Sequence, residues 1–185
     1  MMSKNAKSVF KGEIFEVFQW DQKMYDGTTE VFEALRRPNT AEIIATEGDQ
    51  IVIQKQMQPH KSEPFLSLPG GRIELGEDEL VGAKRELLEE TGLATDDWEL
   101  WAARKPVGKI DWTIFVYVAR GCRKVAEQAL DAGEKIELLR VGFDEFLDMV
   151  DRGDLAYIES DLRLDLVRAR YDAGHRERIR KKIFG

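Results

Sequence analysis

Apolar residues recur along the chain with two different spacings, and the changes between them mark out its elements. From Val9 to Trp20 apolar residues alternate loosely with polar ones, including Glu13 and Glu16, which predicts a strand. Asp26-Gly27 is a tight-turn pair, because it tolerates the positive φ angles of a hairpin turn. Thr29 to Leu35 is the predicted returning strand, and Pro38-Asn39 then breaks the pattern. A lone hairpin is too small to fold by itself. Residues 1–38 are therefore read as an N-terminal hairpin element attached to a domain of residues 39–185.

Beyond the break, Ala41–Thr46 and Ile51–Gln56 read as short strands joined by the polar turn Glu47-Gly48-Asp49. Pro64–Gly71 is extended and ends in the loop signal Pro69-Gly70-Gly71. Asp78–Thr91 is the clearest helix, with Leu80, Ala83, Leu87 and Leu88 as its apolar stripe and Gly92 where a C-terminal cap belongs. Strands are predicted at Glu99–Ala103, Trp112–Ala119 and Lys135–Val141, and helices at Phe143–Arg152 and about Asp161–Ala173. Strands on both sides of one strong helix predict an α+β domain, a mixed sheet with helices packed on it.

Composition narrows the function class. A chain of 185 residues is long enough for one domain with a full core. At 43% hydrophobic and 34% charged residues, it is neither collagen-like nor disordered. With 28 Lys and Arg against 35 Asp and Glu, the net charge of −7 suits no generic nucleic-acid binder. The last 23 residues hold 8 basic and 3 acidic side chains. Without interleaved aromatics, they read as a solvated helix face whose basic end suits the helix dipole. Cys122 is the single cysteine, so no intrachain disulfide forms and a reducing, cytoplasmic location is expected. The opening MMSKNAKSVFKGE lacks a secretory apolar core, and no run is long and apolar enough to predict a membrane partner.

The chemistry concentrates in the strong helix. Glu86, Glu89 and Glu90 share one face at i, i+3 and i+4. Their charges repel, and they lie near the helix end where the dipole disfavours negative charge. A hard divalent cation compensates both penalties, since Mg²⁺ takes carboxylate oxygens and keeps sites open for substrate phosphates. Arg85 can pair with Glu89 or with Glu77 and so orient the carboxylates. Gly70 and Gly71 let backbone approach the ion closely.

The run Gly71, Glu77, Arg85-Glu86-Leu87, Glu89-Glu90 and Gly92-Leu93 resembles the Nudix box, with every defining position filled. Resemblance to the Nudix hydrolases implies an α/β/α sandwich around a mixed sheet. It also implies Mg²⁺- or Mn²⁺-dependent cleavage of a pyrophosphate linkage. By position, it implies Glu86 and Glu90 as main metal ligands, Glu89 as a further ligand or base, and the Gly70 carbonyl as another ligand. Arg85 and Glu77 would be supports.

The N-terminal hairpin, Ile53–Gln58 and Leu66–Gly71 resemble the ADP-ribose and nucleoside-diphosphate-sugar pyrophosphatases within that family. That likeness implies a nucleotide-sugar substrate and a homodimer built through the hairpin. The subgroup commonly carries an arginine where this chain has Gln58, a position expected to contact substrate. Pro106 matches the subgroup's proline loosely. Glu134, in the turn before a strand, is the candidate loop base, with Glu137 as fallback. Trp112, Phe18 and Trp20 are candidate platforms for a base, and Arg36 and Arg37 candidate phosphate or sugar contacts. Two alternatives stand beside this reading: a nucleoside triphosphate pyrophosphatase that clears damaged nucleotides, and a silent nucleotide-binding module.

Overall fold

The computed structural model describes residues 2–185. Three N-terminal strands, β1 (Lys7–Lys11), β2 (Glu16–Lys23) and β3 (Thr29–Arg36), form an antiparallel meander. The single strand expected over Val9–Trp20 is thus two strands, reversed where the Gly12 N–H donates to the Phe15 carbonyl at 2.9 Å. No Asn-Gly or Asp-Gly pair marks that turn, so the polar triplet Lys11-Gly12-Glu13 passes in sequence for part of one strand.

The main sheet follows with β4 (Thr40–Glu47), β5 (Gln50–Met57) and the short β6 (Phe65–Ser67). The strong helix α1 (Glu79–Thr91) leads into β7 (Leu93–Ala94), β8 (Asp97–Arg104), β9 (Ile110–Asp111) and β10 (Ile114–Arg120). Next come β11 (Arg123–Lys124), β12 (Lys135–Gly142), α2 (Phe143–Arg152), α3 (Ser160–Tyr171) and α4 (Ala173–Phe184). Main-sheet order is β12-β5-β4-β10-β8, with β6 beside β5; β4 and β10 run parallel and the other pairs antiparallel. The meander joins through β9, which pairs with β3 in parallel and lies in the connection between β8 and β10.

Alternation along β4 sorts the two faces. Ala41, Ile43 and Ala45 pack toward α1 with Ala83 and Leu87, whereas Ile44 joins the other cluster with Phe146, Leu166 and Ile183 of α2, α3 and α4. The result is the expected helix–sheet–helix sandwich. Asp78 caps α1 by accepting from the Leu80 and Val81 N–H groups at 3.0 and 3.1 Å. Gly92 closes it at φ 70°, donating to the Leu88 carbonyl at 2.8 Å. Leu88 departs from the expected stripe: it is exposed, and Ala83 and Leu87 do the packing. The basic tail holds a separate helix, α4, that sequence reading leaves merged into a solvated face. Asp172 accepts from the His175 N–H at 2.9 Å to start it, and His175, Ile179 and Ile183 are buried.

Candidate active site

Between the loop before α1, the ends of β4–β6 and the turn before α3 lies a cavity of about 1030 Å³. Gly70, Arg85, Glu86, Glu89, Glu90, Glu134, Arg37, Gln58 and Trp112 all line it, as does Pro106. Strand and helix ends far apart in sequence thus bring every primary candidate to one wall or another of the same space.

Arg85 organises the acidic wall. Its Nε and one terminal nitrogen each donate to Glu77 at 3.1 Å, a two-point match of guanidinium to carboxylate. The other terminal nitrogen reaches Glu86 at 2.8 Å and Glu89 at 2.9 Å, and the Arg72 carbonyl accepts at 2.8 Å. Both pairings foreseen for Arg85, with Glu77 and with Glu89, are therefore present. The Arg85 hydrogen bonds hold Glu77 below the usual carboxylate range. Burial pushes Glu86 upward despite its bond to Arg85. Glu90 lies deeper and is pushed up to about 8 by burial, against the bonds it accepts from the Gly70 N–H at 2.8 Å and Gln54 Nε2 at 2.7 Å. Glu134 is also raised, by burial first and then by the nearby charges of Asp131 and Glu89.

These donors suit a hard cation. A Cβ on Gly71 would collide with the Glu86 carboxylate, so the missing side chain is what lets that carboxylate lie against the loop. Gly70 adopts φ 141°, and a Cβ there would strike the Ala41 carbonyl. The Pro69 and Gly71 carbonyls accept from Ile43 and Ala41 N–H groups at 2.9 Å. Among the described residues the Gly70 carbonyl accepts no such bond. Among the described residues, too, no three acidic, His or Cys side chains already stand as a chelating cluster. Glu86 and Glu89 face Arg85, and Glu90 faces Gln54 and Gly70. Arg85 holds one oxygen of Glu86 and one of Glu89, so their second oxygens complete an all-oxygen donor set of the kind a hard divalent ion takes.

Gln54 and Gln56 share one face of β5, Gln58 follows just past its end, and the three are linked by hydrogen bonds of 3.3 and 3.1 Å. Gln56 also donates to Ser67 Oγ at 2.6 Å. Gln58 is therefore coupled through two amides to Glu90. Sequence reading singles out Gln58 alone, although the period-two run of glutamines was the signal for all three.

On the opposite wall the Arg37 guanidinium lies 4.5 Å over Trp112 and 5.8 Å from the Phe15 ring. Trp112 Nε1 donates to Thr40 Oγ1 at 3.1 Å. Arg36, by contrast, turns to Asp111 at 3.3 Å and covers Phe18 at 4.5 Å. Trp20 packs on Phe32. None of Phe18, Trp20 and Arg36 lines the cavity. Glu137 pairs with Lys55 at 3.8 Å and does not line the cavity, whereas Glu134 and Asp131 of the loop before β12 both do.

Glu42 was missed. It sits in the apolar run of β4, is 9% exposed, and is pushed up to about 8 by burial. One of its oxygens accepts from the Glu159 N–H at 2.9 Å. A carboxylate inside an apolar run was the available sign. Tyr157, at φ 62° beside Phe65, also enters the wall unforeseen.

Comparison with known proteins agrees with this geometry. The NUDIX domain pattern matches residues 35–160. A curated relative from Bacillus methanolicus, named methanol dehydrogenase activator, is 32% identical over 149 residues, 78% of this chain and 80% of that protein. An ADP-ribose pyrophosphatase from Bacillus subtilis (strain 168) is 25% identical over 148 residues, again 78% of this chain and 80% of that protein. A crystal structure of an ADP compounds hydrolase superposes with a TM-score of 0.73, covering 89% of this chain and 90% of that one at 21% identity, a likeness of fold.

Proposed function

Because the chain belongs to the NUDIX family, we propose that it hydrolyses the pyrophosphate linkage of ADP-ribose or a related nucleoside diphosphate sugar, giving a nucleoside monophosphate and a sugar phosphate. The observation that carries this reading is the set Glu86, Glu89 and Glu90, oriented by Arg85 against the diglycine loop in one large cavity. Glu86, Glu90 and the Gly70 carbonyl would hold Mg²⁺ or Mn²⁺, with Glu89 as a further ligand. A bound cation would neutralise diphosphate charge and lower the pKa of an attacking water. Arg85 is a positioning residue, held charged chiefly by its bond to Glu77. Glu134 is the base: burial raises the proton affinity of its carboxylate, and its loop can bring it to bound substrate. Trp112 and Arg37 form the wall against which the nucleoside portion packs, and Gln58 contacts its phosphates or sugar.

We extend the proposal to a homodimer built through residues 1–38, with residues 39–185 as the hydrolase domain, in a reducing cytoplasm. Support comes from the exposed apolar residues Val9, Phe10 and Val31 on the meander. Among the described residues no helix is long and apolar enough to cross a membrane. The intact acidic set and its arginine support hydrolysis over a silent binding module.

Phosphatase-coupled phosphate release from ADP-ribose, other nucleotide sugars, dinucleotides and nucleoside triphosphates tests the substrate class. Metal-dependent turnover of diphosphate sugars above triphosphates is expected; the reverse order moves the protein to nucleotide cleanup. Light scattering giving only monomer at working concentration sinks the dimer.

A further inference from the structure

Among the described residues two buried side-chain polar atoms lack any hydrogen-bond partner, Glu42 Oε1 and Arg37 Nε. Both residues line the cavity that holds the box carboxylates. Leaving such atoms unpaired is costly, and a native site that does so has a missing partner. Deep burial alone does not explain it. Glu90 is as deeply buried, yet both Gln54 and the Gly70 N–H donate to its Oε2, and its Oε1 is not among the buried unpartnered atoms. The two orphans are also chemically complementary: one accepts and the other donates.

We propose that Glu42 is a specificity-determining residue whose free oxygen accepts a hydrogen bond from an uncharged hydroxyl or amino group on the part of the substrate beyond the diphosphate, while Arg37 Nε donates to an acceptor on the same molecule. This rests on the hydrolytic reading above. The other Glu42 oxygen is already fixed by the Glu159 N–H at 2.9 Å, so the free one is held in place before substrate arrives. An arriving N–H or O–H favours the ionised form that burial alone disfavours. Against that ionised form a phosphate brings oxygen against oxygen and no hydrogen to share. The ionised wall therefore favours a neutral, hydrogen-bearing group over a further phosphate. A site built around such a bond rejects analogues that lack the donor far more strongly than an apolar pocket rejects a missing methylene.

Calorimetric titration of the full chain with non-cleavable α,β-methylene ADP-ribose tests this, alongside two analogues. One replaces adenine by hypoxanthine and so lacks the amino group; the other lacks the terminal sugar hydroxyls. Glu42→Ala is expected to weaken binding of the parent ligand by about 10- to 100-fold. One analogue is expected to bind the unmodified protein with a similar loss and to be indifferent to Glu42→Ala, which identifies the donor. Glu42→Gln, which keeps an acceptor oxygen, should fall between. Ligand-free Glu42→Gln keeps an oxygen for the Glu159 N–H and should hold its melting temperature, whereas Glu42→Ala, which leaves that N–H unpaired, should lower it. Parent binding within twofold of the unmodified protein in both variants overturns the proposal. So does equal weakening of all three ligands, or no binding of any of them to the unmodified protein. Turnover of ADP-ribose is measured separately. Differential binding without turnover sinks the hydrolytic reading and leaves Glu42's role standing, and turnover that ignores Glu42 does the opposite.

Discussion

Arg85 reaches Glu77, Glu86 and Glu89 from one guanidinium, with N···O distances of 2.8–3.1 Å. A lysine ammonium is a point donor and cannot span all three. Arg85→Lys is therefore expected to lower kcat/KM by about 10- to 100-fold and to raise the Mg²⁺ concentration needed for half-maximal rate. A metal titration indistinguishable from the unmodified protein contradicts this positioning role. Glu134→Gln removes the proton acceptor without changing side-chain size. It should lower kcat by about 10²- to 10⁴-fold with KM little changed; an effect confined to KM makes Glu134 a binding residue. At this scale the box was legible because Glu86, Glu89 and Glu90 lie within five residues of one helix. Glu42 and Gln54 were not, because their importance depends on what faces them. Glu159 is far along the chain from Glu42, and Glu90 comes to Gln54 only when α1 packs on the sheet.

The helix α1 was readable from both ends, since Asp78 and Gly92 make the capping bonds their residue types favour. The loop ahead of it is more demanding. Gly71→Ala places a methyl group where the Glu86 carboxylate lies, so metal affinity should fall while α1 stays folded, as a Mg²⁺ titration with circular dichroism would report. The reversal between β1 and β2 and the separate helix α4 were hidden for different reasons. The first turn lacks a strong turn pair. In α4, Ile179 and Ile183 give only a thin apolar stripe among basic residues, too weak to stand out from a solvated face. Yet Ile183 is fully buried in the cluster shared with α2 and α3. Ile183→Ala is expected to cost about 2–5 kcal/mol in urea unfolding; a loss under about 0.5 kcal/mol, the range of a surface change, contradicts docking of α4.

For the whole molecule, a mixed sheet with helices packed on it was foreseeable from the order of strands and helices, and the sandwich from the family resemblance, but the cavity was not, because β4–β6, the α1 loop and the turn before α3 close it only in three dimensions. That closure buries Glu42 and Glu90 and pushes each up to about 8. Unfolded glutamates titrate near about 4.3. Between those values the folded chain keeps protons that the unfolded chain has released. Metal-free stability therefore falls as pH rises from about 5 to about 8 and levels off above. A divalent ion that binds the ionised carboxylates reverses part of the loss, so added Mg²⁺ should raise Tm more at pH 8 than at pH 6. A metal-free Tm that climbs through this range contradicts the burial of these acids.

The most direct measurement compares the unmodified chain with Glu90→Gln for phosphate release from ADP-ribose, with Mg²⁺ and after its removal by chelator. The unmodified protein should turn over only with metal, and Glu90→Gln should lose turnover by orders of magnitude while keeping its Tm, since the change removes charge and little volume. Turnover that survives chelation, or a Glu90→Gln variant with near-normal kcat, would contradict a metal-dependent hydrolase centred on Glu86, Glu89 and Glu90.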